Sequence, residues 1–260
     1  MRTSTWLLLF CCMLSAGLVM AGDKGPARQF YQIKIYHLKT AGQEQRVTGY
    51  LKDAYLPALH RAGIKQVGVF KPVTQDTADL RVYVLIPFRT ADQFAKLESQ
   101  LAADKTYLEA GKDYLDAQYT NVPFARLESI LLQAFEGMPA MAMPQLTSPK
   151  SDRVYELRSY EGPTEKYFRN KVDMFNKGDE IGIFKKLGFN AVFYGEVIAG
   201  SHMPNLMYMT SFNNNAEREA HWKAFGADPD WKKLSAIESY KNNVSHIDKF
   251  LLKPEAFSDL

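Results

Sequence analysis

Cysteine is almost missing from this chain. Its two cysteines, Cys11 and Cys12, stand side by side near the start, so no disulfide can staple the remainder and a hydrophobic core must hold it. The five histidines (His37, His60, His202, His221 and His246) include no His-x-His and no i, i+4 pair. No acidic residue accompanies them at the spacing of a zinc motif, so no metal is expected. A Gly-x-Ser-x-Gly elbow, a phosphate-binding loop and a Gly-x-Gly-x-x-Gly turn are all lacking, which argues against a serine hydrolase, a P-loop nucleotidase and a Rossmann dehydrogenase. No redox cofactor is called for. Net charge is only +3, and the basic residues are scattered, with pairs such as Lys185-Lys186 and Lys232-Lys233 but no stripe. A nucleic-acid partner is therefore excluded.

One apolar stretch is present, at the N-terminus. Arg2 precedes a nearly unbroken apolar run from Trp6 to Val19, and Val19-Met20-Ala21 places small residues at the −3 and −1 positions. Residues 1–21 are expected to be a secretory signal cleaved near Ala21, which makes the protein secreted or periplasmic. The run is short for a retained anchor, and bulky Phe10 before Cys11 does not suit a lipid-attachment site. No later run is long enough for stable membrane insertion.

What the chain has in abundance is itself, twice. Tyr36 and Gly63 are matched by Tyr160 and Gly188, Asp79-Leu-Arg-Val-Tyr83 by Asn205-Leu-Met-Tyr208, Phe88-Arg-Thr90 by Phe212-Asn-Asn214, and Ala103-Asp104 with Tyr107 by Ala227-Asp228 with Trp231. A repeat of roughly 100 residues is a duplicated domain, since that length can bury its own core. Residues 30–136 form the first unit and 153–253 the second. Between them, 137–152 is a linker rich in Pro and Met, whose Met138, Met141 and Met143 are expected to lie against the domain surface.

Within the first unit, Phe30 to His37 alternates as a strand with one buried face. Glu44 to Arg61 has helical spacing and is ended by Gly63. Strands follow over Val67–Val73 and Leu80–Phe88, Thr90-Ala-Asp-Gln93 opens a second helix with a capping box, and Phe124–Phe135 closes the unit. The second unit repeats this order with strands at Val154–Tyr160, Phe189–Ile198, Leu206–Phe212 and Val244–Leu252. Its helices are predicted over Glu165–Leu187, broken near Gly178 and Gly182, over Asn215–Phe225, and over Asp230–Tyr240. Strand, helix, strand, strand, helix, strand is the ferredoxin-like plan of the α+β class, an antiparallel sheet with helices on one face.

The first strand of each unit carries the most suggestive pattern. Glu156, Arg158 and Tyr160 share one face, and Gln32, Lys34 and Tyr36 share the matching one. The apolar residues opposite are expected to pack on the helices, so that the polar face lines the space between the two sheets. Tyr194, Glu196, Tyr208 and His246 are possible neighbours. Two readings stay open: a pocket orienting an anionic or aromatic small molecule, or an internal Glu156–Arg158 ion pair holding the sheets in register. Asp228 before Pro229 reads as a helix N-cap.

Val154-Tyr-Glu-Leu-Arg-Ser-Tyr160, Gly188-Phe189, the segment Ala216-Glu-Arg-Glu-Ala-His-Trp222 and Asp228-Pro-Asp-Trp231 resemble the NIPSNAP family across residues 153–252. The first unit resembles it more weakly, with Lys34 where Arg158 stands and Tyr107 where Trp231 stands. The resemblance implies the dimeric α+β barrel, here as a pseudo-dimer within one chain, and no defined biochemical role. It also draws attention to His221, because some enzymes of this fold use a helix histidine beside the cleft. Mitochondrial roles of animal members do not carry over to a chain with a secretory-type leader. The expected function is binding of a small organic molecule or a protein partner, with a cofactor-independent oxygenase or isomerase as the alternative and a homo-oligomer formed through an outer surface as a further possibility.

Overall fold

The computed structural model describes residues 26–260; the predicted leader lies outside the described residues. The elements are strand β1 (Phe30–Leu38), helix α1 (Ala41–Tyr50), a π-helical segment (Leu51–Tyr55) and α2 (Leu56–Arg61). Then come β2 (Gly68–Pro72), β3 (Leu80–Phe88), α3 (Ala91–Ala103), α4 (Lys105–Ala110), α5 (Lys112–Leu115) and β4 (Arg126–Ala134). The second unit has β5 (Val154–Glu161), α6 (Glu165–Asn176), α7 (Glu180–Lys186), β6 (Asn190–Ala199), β7 (Asn205–Phe212), α8 (Asn215–Ala227), α9 (Pro229–Ser235), a 3₁₀ turn (Glu238–Tyr240) and β8 (His246–Pro254).

Local chemistry sets these boundaries, with side-chain caps and glycine stops in both repeats. Thr40, Thr90 and Asn214 each accept a hydrogen bond from the backbone N–H three residues on, capping α1, α3 and α8. Gly63 and Gly188 adopt positive φ (82° and 77°), and each completes a Schellman turn: Ile64 N–H donates to Leu59 O and Phe189 N–H to Phe184 O. Helix 165–187 breaks once, at Gly178. Gly182 instead lies inside α7, where its N–H donates to the capping Asp179 and an added Cβ would stand 2.3 Å from that carboxylate.

The eight strands close into one antiparallel barrel in the order β1-β3-β2-β8-β5-β7-β6-β4. Each repeat supplies a four-stranded sheet, and the seams β2–β8 and β4–β6 join the repeats. The pseudo-dimer is therefore formed within one chain. Tyr31, Ile33, Ile35, Tyr83 and Leu85 meet Tyr155, Leu157, Phe193, Met207, Met209 and Leu252 in a single cluster from both sheets. Rings touch across the repeats in it, Tyr31 to Phe193 at 5.0 Å and Phe70 to Tyr155 at 4.8 Å between centroids. This is the barrel lumen. Two further clusters lie outside it, between each sheet and its own helices.

The lumen corrects the sequence reading of the two strand faces. Tyr155 and Leu157 point into the barrel, while Glu156, Arg158, Tyr160, Lys34 and Tyr36 point outward under the helices. Alternation separates the faces but leaves open which one is lumenal, because helices cover one face and the opposite sheet covers the other. At the end where β1 and β5 begin, the segment between the repeats and the C-terminus seal the barrel. Met141 N–H bonds to Gln29, Ala142 N–H to Val192 O, and Asp259 N–H to Val67 O. Met141, Leu146 and Leu260 thereby join the lumenal cluster, so Met141 is a plug residue and not surface packing. Among the described residues, no helix is long and apolar enough to cross a membrane.

Candidate functional site

Two polar assemblies stand out, one on each side of the sheets. On the helix side of the second repeat, Glu156 is wholly buried. Its Oε1 accepts from Arg158 Nε at 2.6 Å, and its Oε2 accepts from Arg218 Nε at 2.5 Å and Trp222 Nε1 at 2.7 Å. The Arg158 guanidinium lies 3.5 Å from the centroid of Trp222 and donates to Tyr160, whose hydroxyl lies 2.8 Å from that of Tyr208. Nearby, Lys171 and Glu180 form a buried pair at 2.7 Å; burial pushes the Glu180 carboxyl up despite the ammonium beside it. Glu156, Arg158, Tyr160 and Tyr208 are thus brought together, and the acidic group is saturated.

The first repeat is poorer on its helix side. Among the described residues Lys34 has only a 3.4 Å contact to the Tyr55 hydroxyl and that ring's face at 4.8 Å, and burial pushes its ammonium pKa down. Tyr36 packs edge-on against Tyr114 and Phe124. His221 is separate from both groups: its Nδ1 bonds Glu217 O on its own helix, and its ring packs against Phe189 and Phe212. His246 lies elsewhere again, at the open end of the barrel. The Glu196 carboxylate reaches neither cluster and pairs with Arg28 and Arg169.

That open end is the second assembly, and sequence reasoning missed most of it. Where β1 and β5 finish, the lumenal positions turn from apolar to polar in β1, β3, β4, β5, β7 and β8. His37 is paired in register with Arg81 and Arg126, and Ile35 with Glu128. Glu161 is paired with Asn205 and His246, and Ser159 with Asp248. His37, Arg81, Glu128, Ser159, Asn205 and Asp248, with loop residues Ser201 and His202, border a cavity of about 270 Å³ floored by Ile35, Ile130, Val197, Met207 and Phe250; Arg126, Glu161 and His246 belong to the rim outside that lining. The readable signal was the end of an alternation: Tyr31, Ile33, Ile35, then His37, and Tyr155, Leu157, then Ser159 and Glu161.

Its electrostatics are set by carboxylates. His37 Nδ1 lies 2.9 Å from Asp79 and its Nε2 lies 3.0 Å from Glu128. Arg81 pairs with Asp79 at 2.6 Å. Desolvation opposes ionisation of Asp79, but bonds from Arg81 and His37 outweigh it and hold the carboxyl below its ordinary range. On the other wall, His202 Nδ1 lies 3.0 Å from Glu161 and His246 Nε2 lies 3.0 Å from Asp248. Asn205 is 2% exposed; its Nδ2 donates to Ser159 Oγ, and among the described residues its Oδ1 has no donor.

Comparison with known families fits the second repeat, whose residues 155–259 match NIPSNAP. This repeat is similar to a NIPSNAP domain over nearly its whole length. No curated protein matches the chain. Among solved structures, a candidate monooxygenase from Fusobacterium nucleatum subsp. nucleatum ATCC 25586 superposes with a TM-score of 0.60 at 9% identity, covering 88% of this chain and 93% of the other. A candidate monooxygenase from Lactobacillus acidophilus NCFM gives 0.54 at 13% identity, with 87% and 94% covered. An anthrone oxidase-like protein gives 0.51 at 8% identity, with 89% and 93% covered. At such identities the likeness is one of fold, a barrel spanning nearly the whole chain in each case. The NIPSNAP-like repeat contributes Glu161, His202, Asn205, His246 and Asp248 to the open mouth, and the first repeat contributes His37, Arg81 and Glu128.

Proposed function

We propose that this NIPSNAP-like protein binds a small organic amine in the open end of its barrel. The observation that carries the reading is the asymmetry of the lumen. One end is plugged by Met141, Leu146 and Leu260, while the other holds a cavity of about 270 Å³ whose apolar floor rises to a rim of acceptors. An apolar body would rest on Met207, Phe250 and Ile130. Its ammonium would meet Glu128 and Asp248, which outnumber the guanidinium of Arg81. A concave apolar site with a few convergent polar groups is the usual form of a small-molecule site.

Benzylamine and benzoate, equal in body and opposite in charge, test this by NMR titration. Benzylamine is expected to shift amide signals around Ser159, Asn205 and Asp248, and Met207→Trp is expected to abolish those shifts by filling the floor. Equal binding of benzoate, or benzylamine shifts confined to other surfaces, would overturn the reading.

A second reading, a cofactor-independent oxygenase, is favoured by one feature. His37 and His202 stand on walls supplied by different repeats, each with a carboxylate on a ring nitrogen, an arrangement that holds imidazole for proton transfer. Among proteins sharing the fold, one is named anthrone oxidase-like. Anthrone in air, followed by absorbance as anthraquinone and water form, checks it. No acceleration over buffer, or equal acceleration by His37→Ala and His202→Ala variants, removes this reading.

A further inference from the structure

We propose that the NIPSNAP-like side of the mouth is a divalent-cation site built from Glu161, His202 and Asp248, with Asn205 Oδ1 as an additional oxygen donor. This deepens the reading of the cavity and rests on it. One oxygen from each carboxylate and one ring nitrogen of His202 lie within 4.8 Å of one another. Ligand bonds of about 2.0–2.2 Å set donors somewhat closer than that around one ion, and rotation of the partly exposed His202 and Glu161 side chains closes the difference.

The independent observation is Asn205. It stands directly opposite Glu161 in the β5–β7 ladder, on the lumenal face, and lines the cavity beside His202 and Asp248. Its amide nitrogen is engaged by Ser159, yet its buried Oδ1 has no hydrogen-bond donor among the described residues. A buried acceptor left unpaired is unfavourable; Oδ1 is closed to the cavity as it stands, and a turn of the Asn205 side chain toward the mouth is what brings it to a cation. His246 Nε2, 3.0 Å from Asp248 Oδ1, holds that carboxylate from behind, as outer-shell partners do for metal ligands.

Comparison of the repeats sharpens the case. By register, His37, Arg81 and Glu128 occupy in the first repeat the places of Glu161, Asn205 and Asp248, so Arg81, and not Asp79 as the sequence match has it, corresponds to Asn205. There a cation is built into the chain: the Arg81 guanidinium, held by Asp79. In the NIPSNAP-like repeat the matching residue is the neutral Asn205. Among the described residues, Glu161 and Asp248 have ion-pair partners only in His202 and His246. One imidazole nitrogen with carboxylate and amide oxygens suits Zn²⁺, Mn²⁺ or Fe²⁺, and the lack of thiolate disfavours soft ions. The three ligands come from a strand end, a loop and another strand, which is why no motif spacing announces them.

The test is calorimetric titration of Zn²⁺ into the untagged chain after EDTA treatment and desalting, near neutral pH. One Zn²⁺ per chain is expected, with a Kd on the order of micromolar. His202→Ala and Asp248→Asn should each weaken it at least about tenfold, while His60→Ala, whose imidazole pairs with Asp259 far from the mouth, should leave it unchanged. Circular dichroism confirms that each variant is folded, and the visible spectrum of bound Co²⁺ should change in His202→Ala if its nitrogen is a ligand. Unaltered affinity in both mouth variants, or no binding below millimolar Zn²⁺, overturns the proposal. Benzylamine titrated into the same EDTA-treated protein separates the two readings: amine binding without Zn²⁺ binding sinks the metal site alone, and absence of both sinks the cavity reading as well.

Discussion

Glu156→Gln is the perturbation that separates the two polar assemblies. Glu156 is 0% exposed and takes hydrogen bonds from Arg158, Arg218 and Trp222. Glutamine keeps the shape but removes the negative charge, and it turns an NH₂ toward donors that need an acceptor. Removing one partner of a buried ion pair destabilises by about 3–5 kcal/mol, since the remaining charge stays buried and uncompensated. Here the Arg158 and Arg218 side chains retain 10% and 17% exposure, so water screens part of the loss and about 3 kcal/mol is expected. For a domain of this size that lowers Tm by roughly 6–12 °C. Urea unfolding followed by tryptophan fluorescence should show a lower midpoint at an unchanged m-value. Benzylamine affinity should not move, because Glu156 faces the helices and the cavity lies on the opposite face of the sheet. A stability loss under about 1 kcal/mol, or a loss of benzylamine binding without loss of stability, would refute this structural role.

Three further outcomes are expected. Lys34→Met should leave stability unchanged or raise it by about 1 kcal/mol near neutral pH, since the ammonium is buried with weak partners. Burial lowers the folded-state pKa of Lys34 below its unfolded value, so the native lysine gains stability as pH rises through that folded value toward the unfolded one. The advantage of methionine should therefore shrink in alkali, and denaturation midpoints that stay parallel with pH would contradict it. Leu260→Ala should cost about 2–3 kcal/mol by opening the plugged end of the barrel; a change below about 0.5 kcal/mol, read by urea denaturation, would mean that the plug contributes little. Gly63→Ala should cost about 1 kcal/mol because φ is +82° there with open space around a Cβ, so the loss reports backbone strain alone; a neutral result in thermal melts would count against the Schellman turn.

Much of the architecture is readable along the chain because its causes are local. Thr90 followed by Gln93 caps a helix wherever the pair occurs, and Gly63 and Gly188 stop helices because glycine alone enters positive φ without a Cβ penalty. Period-two patterns marked β1 and β5, and Ala103-Asp104 against Ala227-Asp228 marked the duplication. The candidate site was less accessible. Glu156, Arg158, Tyr160 and Tyr208 were recognised as one group, yet their surroundings are α6, α7 and α8, and their partners Arg218, Lys171 and Glu180 lie on those helices. His37, Glu128, Asp248 and Asn205 were passed over because each looks unremarkable beside its sequence neighbours.

The sequence by itself determined a duplicated α+β unit, the order of its strands and helices, and two distinct faces on each strand, because side-chain period and capping chemistry act within a few residues. Only the tertiary structure decided which face became the lumen. That choice rests on the β2–β8 and β4–β6 seams, where hydrogen bonding between the repeats closes the barrel and turns one face of each sheet into a shared lumen. The same closure plugged one end with Met141 and Leu260 and gathered Glu161, His202 and Asp248 at the other. Such groupings depend on the register of strands far apart in the chain, which no local pattern records.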